Sequence, residues 1–455
     1  MALKNKNGLE HRIAIVGAGL SGLSAGHQLM RAGLKPVIFE RESSVGGRMS
    51  SEVVDGFIID KGAYTFPEFY QNLRRFVGDL GMGSSLLQTP GTSSTFTSGK
   101  EYPIKIGSPM DFLGYKLLSL KNKKDMVKLF LYSASLGKSL SVAHPTQKTF
   151  ELERETAADF LLQNYDEQIL ERIAYPIFSE IFLGSPENNS TLAFLSTLRN
   201  LTRFKIFALD HGMGSVPERI MRDLDVRLDS PVLKISPIDE DGPYEVHVGG
   251  AYGGFFEFDA VIMALPLPLV PKIVNNLPEE LTEYFRNVVY APSIVMAMAI
   301  DDEYENRSMI NNLLRTDFSV LGTVVFDQLK GPRRVPQGKS LVTAILCEKA
   351  GRTLFHESDE KIAGEILKEM EILIPDLSKR IIFLKTYRWE HGALQLPPGH
   401  LWKRNSVRGF LEEGIHNLYF AGETLPISSL EASFNTGVRA ANQLIEKNRR
   451  SSFTP

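Results

Sequence analysis

The residues with the clearest chemistry are three glycines and a carboxylate. The stretch Ile13-Ala14-Ile15-Val16-Gly17-Ala18-Gly19-Leu20-Ser21-Gly22 sets glycines in a G-x-G-x-x-G spacing directly after a short apolar run. Gly17 permits a tight turn, Gly19 leaves no side chain in the way of a pyrophosphate, and Gly22 lets the following helix sit close to the strand. The first amides of that helix, at Leu20, Ser21 and Gly22, together with its dipole stabilise phosphate charge. Glu40 lies 23 positions after Gly17. A carboxylate there can accept hydrogen bonds from both hydroxyls of a ribose. These residue types in this order point to dinucleotide binding. The spacing alone does not separate a nicotinamide from a flavin dinucleotide. A glycine turn without a ligand is the bland alternative, and the strand, helix and Glu40 together argue against it.

Those residues need a βαβ unit to position them. Ile13–Val16 reads as a buried parallel strand, Leu20 to about Ala32 as a helix ended by Gly33, and Val37–Phe39 as a second buried strand. From about Gly81 the character changes. Segments 111–140 and 151–210 read as helical and rich in Lys, Leu and Phe. A strand is expected at Val226–Ile235, a hairpin-like turn at Gly249, Gly250, Gly253 and Gly254, and another buried strand at Ala260–Ala264. Val288–Ile300 and Leu341–Glu348 read as strands of a second sheet, and Ile362–Ile372 as a helix. Asn417–Ala421 is a final buried strand and Thr436–Lys447 a terminal helix.

The 455 residues exceed what one hydrophobic core serves, so two domains are expected. No repeat or low-complexity linker separates them, which implies interleaved segments. With 43% hydrophobic and 23% charged residues and a net charge of −3, nothing favours nucleic acid as a partner. The single cysteine, Cys347, excludes an intramolecular disulfide and fits a reducing compartment. Only about a dozen mostly polar residues precede the first strand, too few for a secretory leader. The longest apolar run, Val261 to Val270, is broken by Pro266 and Pro268 and is too short for a membrane span. The expected location is cytoplasmic or membrane-peripheral. No metal site is assigned, and nothing indicates an oligomeric state.

The stretch Glu40-Arg41-Glu42-Ser43-Ser44-Val45-Gly46-Gly47-Arg48 resembles a signature of the flavoprotein amine oxidase superfamily. The resemblance implies FAD. It places Arg41, Gly47 and Arg48 along the cofactor, with Arg48 near its phosphates. Gly56 to Gly62 resembles the segment beside the flavin, and Val226 to Ile235 the strand whose backbone, around Val232, holds the adenine edge. Asp259 to Pro266, including Ala264, resembles the return strand. Leu418-Tyr419-Phe420-Ala421-Gly422-Glu423 resembles the motif whose acidic residue sits by the phosphate and ribityl chain. Ser429 to Ser433 opens the last helix, whose first amides, from Leu430, would face the flavin pyrimidine ring. Glu155 to Phe160, Pro176, Phe182 to Pro186, His211 to Pro217, Tyr290 to Ser293 and Arg388 to His400 resemble the protoporphyrinogen oxidase branch. The implied fold is α/β: a Rossmann-like FAD-binding domain (1–80, 206–275, 405–455) interleaved with an α+β substrate-binding domain (81–205, 276–404).

The implied reaction is dehydrogenation of a small hydrophobic or heterocyclic substrate: porphyrinogen-like, a cyclic amine or pyrroline, or a polyene. A carotenoid desaturase-like enzyme and a non-redox flavin mutase or isomerase are the alternatives. Gly212-Met213-Gly214 is followed by no acidic strand end, so a second nucleotide site is not expected, and oxygen or a quinone is the expected acceptor. Non-covalent attachment is expected, because Gly392-Ala393-Leu394 stands where covalent relatives carry a cysteine. No general base declares itself. His391, Trp389, Tyr64 and Met296 are the candidates near the flavin face, with Met296 where monoamine oxidases carry a lysine; simple primary amines are therefore expected to be poor substrates. Arg199, Arg203 and Lys205 could meet substrate carboxylates, though a solvated helix face explains them as well. Lysines 116, 121, 123, 124, 128 and 138, interleaved with apolar residues, could rest on an anionic membrane surface.

Overall fold

The computed structural model describes residues 11–90, 92–105, 109–201, 205–239, 243–305, 308–425 and 427–451. Ile13–Val16 is apolar and buried along its length, as a strand covered on both faces must be. It pairs in parallel with Val37–Phe39 on one side and Ala260–Met263 on the other. Asp225–Arg227 and Leu418–Phe420 complete a five-stranded parallel sheet in the order 225–227, 37–39, 13–16, 260–263, 418–420. Gly17, Glu40, Ala264 and Gly422-Glu423 all follow the carboxyl ends of these strands. That edge is where ligands bind in open parallel sheets.

Helix Leu20–Arg31 covers one face and packs along the terminal helix Leu430–Ser451. Ser24 Oγ donates to the Phe434 carbonyl (3.1 Å) and Gln28 Nε2 to Asn442 Oδ1 (2.7 Å). On the other face Phe39 meets Phe256 and Phe258 of a three-stranded antiparallel sheet, 232–237, 244–248 and 254–258. The expected single strand Val226–Ile235 is thus two strands of two sheets. Asp229 at φ 50° and Pro231, which lacks an N–H, break the run between them. The glycine cluster at 249–254 does turn a hairpin, joining Tyr244–Val248 to Gly254–Phe258.

A seven-stranded mixed sheet runs in the order 381–394, 290–300, 340–346, 321–326, 310–313, 92–97, 100–105. Helix Asp359–Leu373 packs on one face through Ile362, Ile366 and Met370. Phe57 and Ile59 meet the other face at Ala297, Ala299 and Leu341. The segment expected to be helical to residue 210 ends instead in the strand Ile206–Leu209, which pairs with 66–67 and 86–88.

Candidate dinucleotide site and adjoining cavity

The three glycines serve two different ends. Gly17 has φ +100°, and its N–H donates to the Phe39 carbonyl at 2.8 Å. A Cβ there would stand 2.8 Å from the Ala264 carbonyl oxygen, and a Cβ on Gly22 only 1.9 Å from that of Gly17. The protein's own packing requires both. Around a Cβ built on Gly19, no protein atom lies within 4 Å. Gly19 is also the N-cap of helix Leu20–Arg31, with no side chain capping it. Open space beside an uncapped helix start fits an anionic ligand. The turn at Gly46-Gly47 closes over it: Gly46 N–H donates to the Ala18 carbonyl (2.9 Å), and a Cβ on Gly47 would lie 3.8 Å from Gly19 Cα.

Glu40 is buried. Its carboxylate accepts from the N–H of Ala18 (2.7 Å) and of Glu42 (3.0 Å). Burial pushes its pKa up, and the two backbone bonds oppose that rise. Each oxygen keeps a lone pair for a ribose hydroxyl. The Ser230 N–H donates to the Glu40 carbonyl (2.7 Å), which brings the chain leading to Val232 alongside. Arg41 is not brought to this loop: its exposed guanidinium pairs with neighbouring Glu42 at 2.8 Å.

Arg48 and Glu423 form the centre of the next layer. Arg48 Nη1 donates to Glu423 Oε1 (2.8 Å) and to the carbonyls of His391 and Gly392 (both 3.1 Å). Tyr290 donates to Glu423 Oε2 (2.6 Å) and Ser428 to Oε1 (2.9 Å). Burial alone would lower the Arg48 pKa, but the Glu423 carboxylate outweighs it and holds the guanidinium above its ordinary value. Burial first and Glu423 second push the Tyr290 phenol well up. Gly422, at φ +82°, is tied through Thr436 Oγ1 to the terminal helix that begins at Leu430. Ser429 Oγ already accepts from the Ala432 N–H (3.1 Å) in that helix's first turn.

The segment 61–63 lies between Arg48 and Trp389. Ala63 N–H donates to the Arg48 carbonyl (2.7 Å), and Trp389 Nε1 donates to the Lys61 carbonyl (2.7 Å). Tyr64 follows and packs against a buried cluster that includes Ile206, Val295 and Ile310. The Lys330 ammonium sits 5.1 Å from its ring centroid. Burial first, then Glu180 and Asp327, push the Tyr64 phenol well up. His391 stands edge-on to Tyr290 at 5.2 Å, and burial lowers its pKa. Met296 is fully buried with Ile294 and Met298 against helix 359–373, while Val295 and Ala297 take the face toward Tyr64 and Phe57. The strand's two-residue period turns Met296 away from Tyr64.

Arg199 donates to the Gly137 carbonyl and Lys205 pairs with Glu68 at 3.7 Å; neither lines the cavity described below. Arg203 lies outside the described residues. The second Gly-x-Gly turn spends its amides on the protein: Met213 N–H donates to Asp60 Oδ1 and Gly214 N–H to Ser51 Oγ, both at 2.8 Å.

Sequence reasoning missed a buried charge network beneath Tyr64. Asp60 accepts from Lys330 Nζ (3.0 Å) and Arg334 Nη2 (2.6 Å), and Lys330 also reaches Asp327 (2.5 Å). All four side chains are at most 1% exposed. The signal for Asp60 was an acid ending an otherwise apolar strand; Lys330 and Arg334 gave none. Also missed was Glu180, on the wall of a cavity between residues 172–181 and strands 92–97 and 310–313.

A glycine turn, a buried carboxylate after the second strand and further loops at one edge of a parallel sheet define a dinucleotide-dependent enzyme of α/β architecture. The model of the family of flavin containing amine oxidoreductases matches residues 20–445. The chain belongs to that family and is a flavin-dependent oxidoreductase. It is 21% identical over 489 residues to protoporphyrinogen oxidase 2 of Arabidopsis thaliana, covering 95% of this chain and 94% of the relative. It is 22% identical over 480 residues to the 15-cis-phytoene desaturase of Capsicum annuum, covering 95% and 78%. A redesigned putrescine oxidase has the same fold, with a TM-score of 0.80 and 19% identity over 96% of this chain and 99% of that one.

Proposed function

We propose that this protein binds FAD non-covalently and dehydrogenates a porphyrinogen-like, cyclic amine or polyene substrate, with oxygen or a quinone as final acceptor. The observation that carries the reading is the open space at Gly19, roofed by Gly47 and flanked by Glu40, whose carboxylate accepts from the Ala18 N–H. In this reading Gly17 and Gly22 shape the turn, and the first amides of helix 20–31 hold the pyrophosphate. Glu40 takes the adenosine ribose, and the backbone near Val232 takes the adenine edge. Arg48 and Glu423 hold the middle of the cofactor, and the start of helix 430–451 lies toward its ring. Bound there, a flavin supplies two-electron acceptance from a substrate C–H bond. Trp389, pinned to Lys61, and Tyr64, pinned by packing, wall the substrate side and exclude water. In this reading the parallel sheet holds the cofactor and the seven-stranded sheet faces the substrate. Cys347, the one cysteine, supports non-covalent binding, because it is buried where Sγ donates to the Ser319 carbonyl, in the sheet's helical flank. Anaerobic titration with protoporphyrinogen IX, cyclic amines and phytoene tests the reading. Bleaching of the flavin by one of them is expected; bleaching by none would refute it.

Membrane contact is part of the same proposal. Helix Leu120–Leu136 exposes Leu120 (80%), Val127 (42%) and Leu131 (67%) beside exposed Lys121, Lys124 and Lys128. Apolar residues set among lysines suit an anionic bilayer surface. Among the described residues no helix is long and apolar enough to cross a membrane. Sedimentation with phosphatidylglycerol vesicles is expected, and Leu120→Asp with Leu131→Asp should abolish it.

A further inference from the structure

Residues 167–182 are helical throughout but not α-helical throughout. Leu170–Ala174 and Phe178–Phe182 are π turns on either side of the α-helical Tyr175–Ile177. Such turns are rare and concentrate at functional sites. Here they keep two rows facing one cavity: Arg172, Pro176 and Glu180, and Ile173, Ile177 and Ile181. In an unbroken α-helix each four-residue step swings a side chain by about 40° around the axis; the wider π turns take that drift back. The cavity measures ≈ 60 Å³, room for about two waters. It is a recess for one group of a larger molecule.

Glu180 supplies the one carboxylate on the lining described. Asn312 Nδ2 donates to its Oε2 at 2.8 Å, and Thr323 Oγ1 donates to Asn312 Oδ1 (3.1 Å), which fixes the amide's orientation. Among the described residues no donor reaches Oε1 and no cation pairs with the group. Arg172 shares the lining, yet its guanidinium donates to the Leu117 carbonyl at 2.6 Å. Burial pushes the Glu180 carboxyl up. Tyr64 packs against the cluster that includes Ile310, two residues from Asn312 and on the same face of strand 310–313, and Glu180 is the leading charge acting on its phenol. Glu180 is part-buried on the lining of the recess, and a ligand donor could bond the second carboxylate oxygen, which no described protein donor occupies.

We propose that Glu180, held by Asn312, anchors an N–H group of the substrate and so selects nitrogen-bearing substrates over all-carbon polyenes. This rests on the substrate side of the site lying beside Tyr64, and it narrows the substrate classes above to porphyrinogens and cyclic amines. Both bring N–H donors, one neutral and one cationic; polyenes bring none. Asn312 is a positioning residue that acts through Glu180.

The test titrates the anaerobic holoprotein with protoporphyrinogen IX, pyrrolidine and micellar 15-cis-phytoene. Binding is read by calorimetry and flavin reduction by absorbance. At least one N–H probe should bind the native protein. Glu180→Gln, which keeps the size and the bond to Asn312, should weaken that binding by about tenfold to a hundredfold. Glu180→Asp should recover part of it, and Asn312→Ala should raise KM with kcat nearly unchanged. Equal affinity of Glu180→Gln and native protein, no binding of either N–H probe, or tighter binding of phytoene than of both would overturn the anchor. Binding that depends on Glu180 without bleaching keeps the anchor and removes the oxidation reading. Bleaching indifferent to Glu180 does the reverse.

Discussion

The two ends of the site are built from different materials. The dinucleotide end is mainly backbone: a glycine turn, the first amides of a helix and one carboxylate, all within residues 13–48. The proposed substrate end is side chains from far apart in the chain: Trp389 and Asn312 from two strands of one sheet, Tyr64 from a loop and Glu180 from a π turn. Backbone sites depend on where a side chain is absent, and absence is a local, readable property. Side-chain cavities depend on which face of a strand or helix turns inward, and that is decided by tertiary packing.

The largest effect should come where the two ends are joined. Lys330→Met leaves Asp60 and Asp327 sharing Arg334 in a dry interior, and should cost about 3–5 kcal/mol of stability. Denaturant unfolding measures it, and a loss below about 1 kcal/mol would mean that the network does not join the two regions. Within the turn, Gly22→Ala should destabilise even the flavin-free protein, by about 3 kcal/mol, because its Cβ meets the Gly17 carbonyl at 1.9 Å. Gly19→Ala should leave the melting temperature of the flavin-free protein unchanged yet cut flavin occupancy at least ~10-fold, since only a ligand competes for that space. Equal behaviour of the two variants would erase the distinction between packing glycines and a ligand glycine. Glu40→Ala should weaken flavin binding by about 1.5–3 kcal/mol per ribose bond lost. It should also cost the flavin-free protein about 1 kcal/mol, because Ala18 and Glu42 lose their acceptor.

The smallest effect concerns Glu153, outside both ends. Burial holds its carboxyl up at about 7, opposed by backbone bonds from Leu401 and Trp402 at the start of helix 400–406. Its folded pKa is above the ordinary 4.5, so the folded state favours the protonated form. That contribution is fully present below about pH 4.5 and is lost as pH rises through about 7. The melting temperature of Glu153→Gln, relative to native protein, should therefore rise between pH 5 and pH 8. A difference flat across that range would show that the group titrates normally.

The βαβ unit was legible to within a residue, since Ile13–Val16, Leu20–Arg31 and Val37–Phe39 each carry a local signal. Five strands of the seven-stranded sheet were not. Ile381–Leu394 is only half-buried along most of its length and shows no clean alternation, and Thr92–Thr97 is polar though largely buried. The face that Met296 takes was hidden for the same reason: a strand buried along nearly its whole length gives no hint of which face is which, and one residue of slip exchanges them. The Arg41 pairing with Glu42 was not legible either, because a charge at a strand end takes its nearest exposed partner. Glu180 was unreadable because a helical pattern does not announce π turns.

The most direct measurement is of what the purified protein carries and how it lets go. Acid precipitation followed by chromatography of the supernatant should yield about one FAD per chain, with a colourless pellet, and much less from Gly19→Ala. A nicotinamide dinucleotide without flavin, or flavin retained in the pellet, would contradict the account.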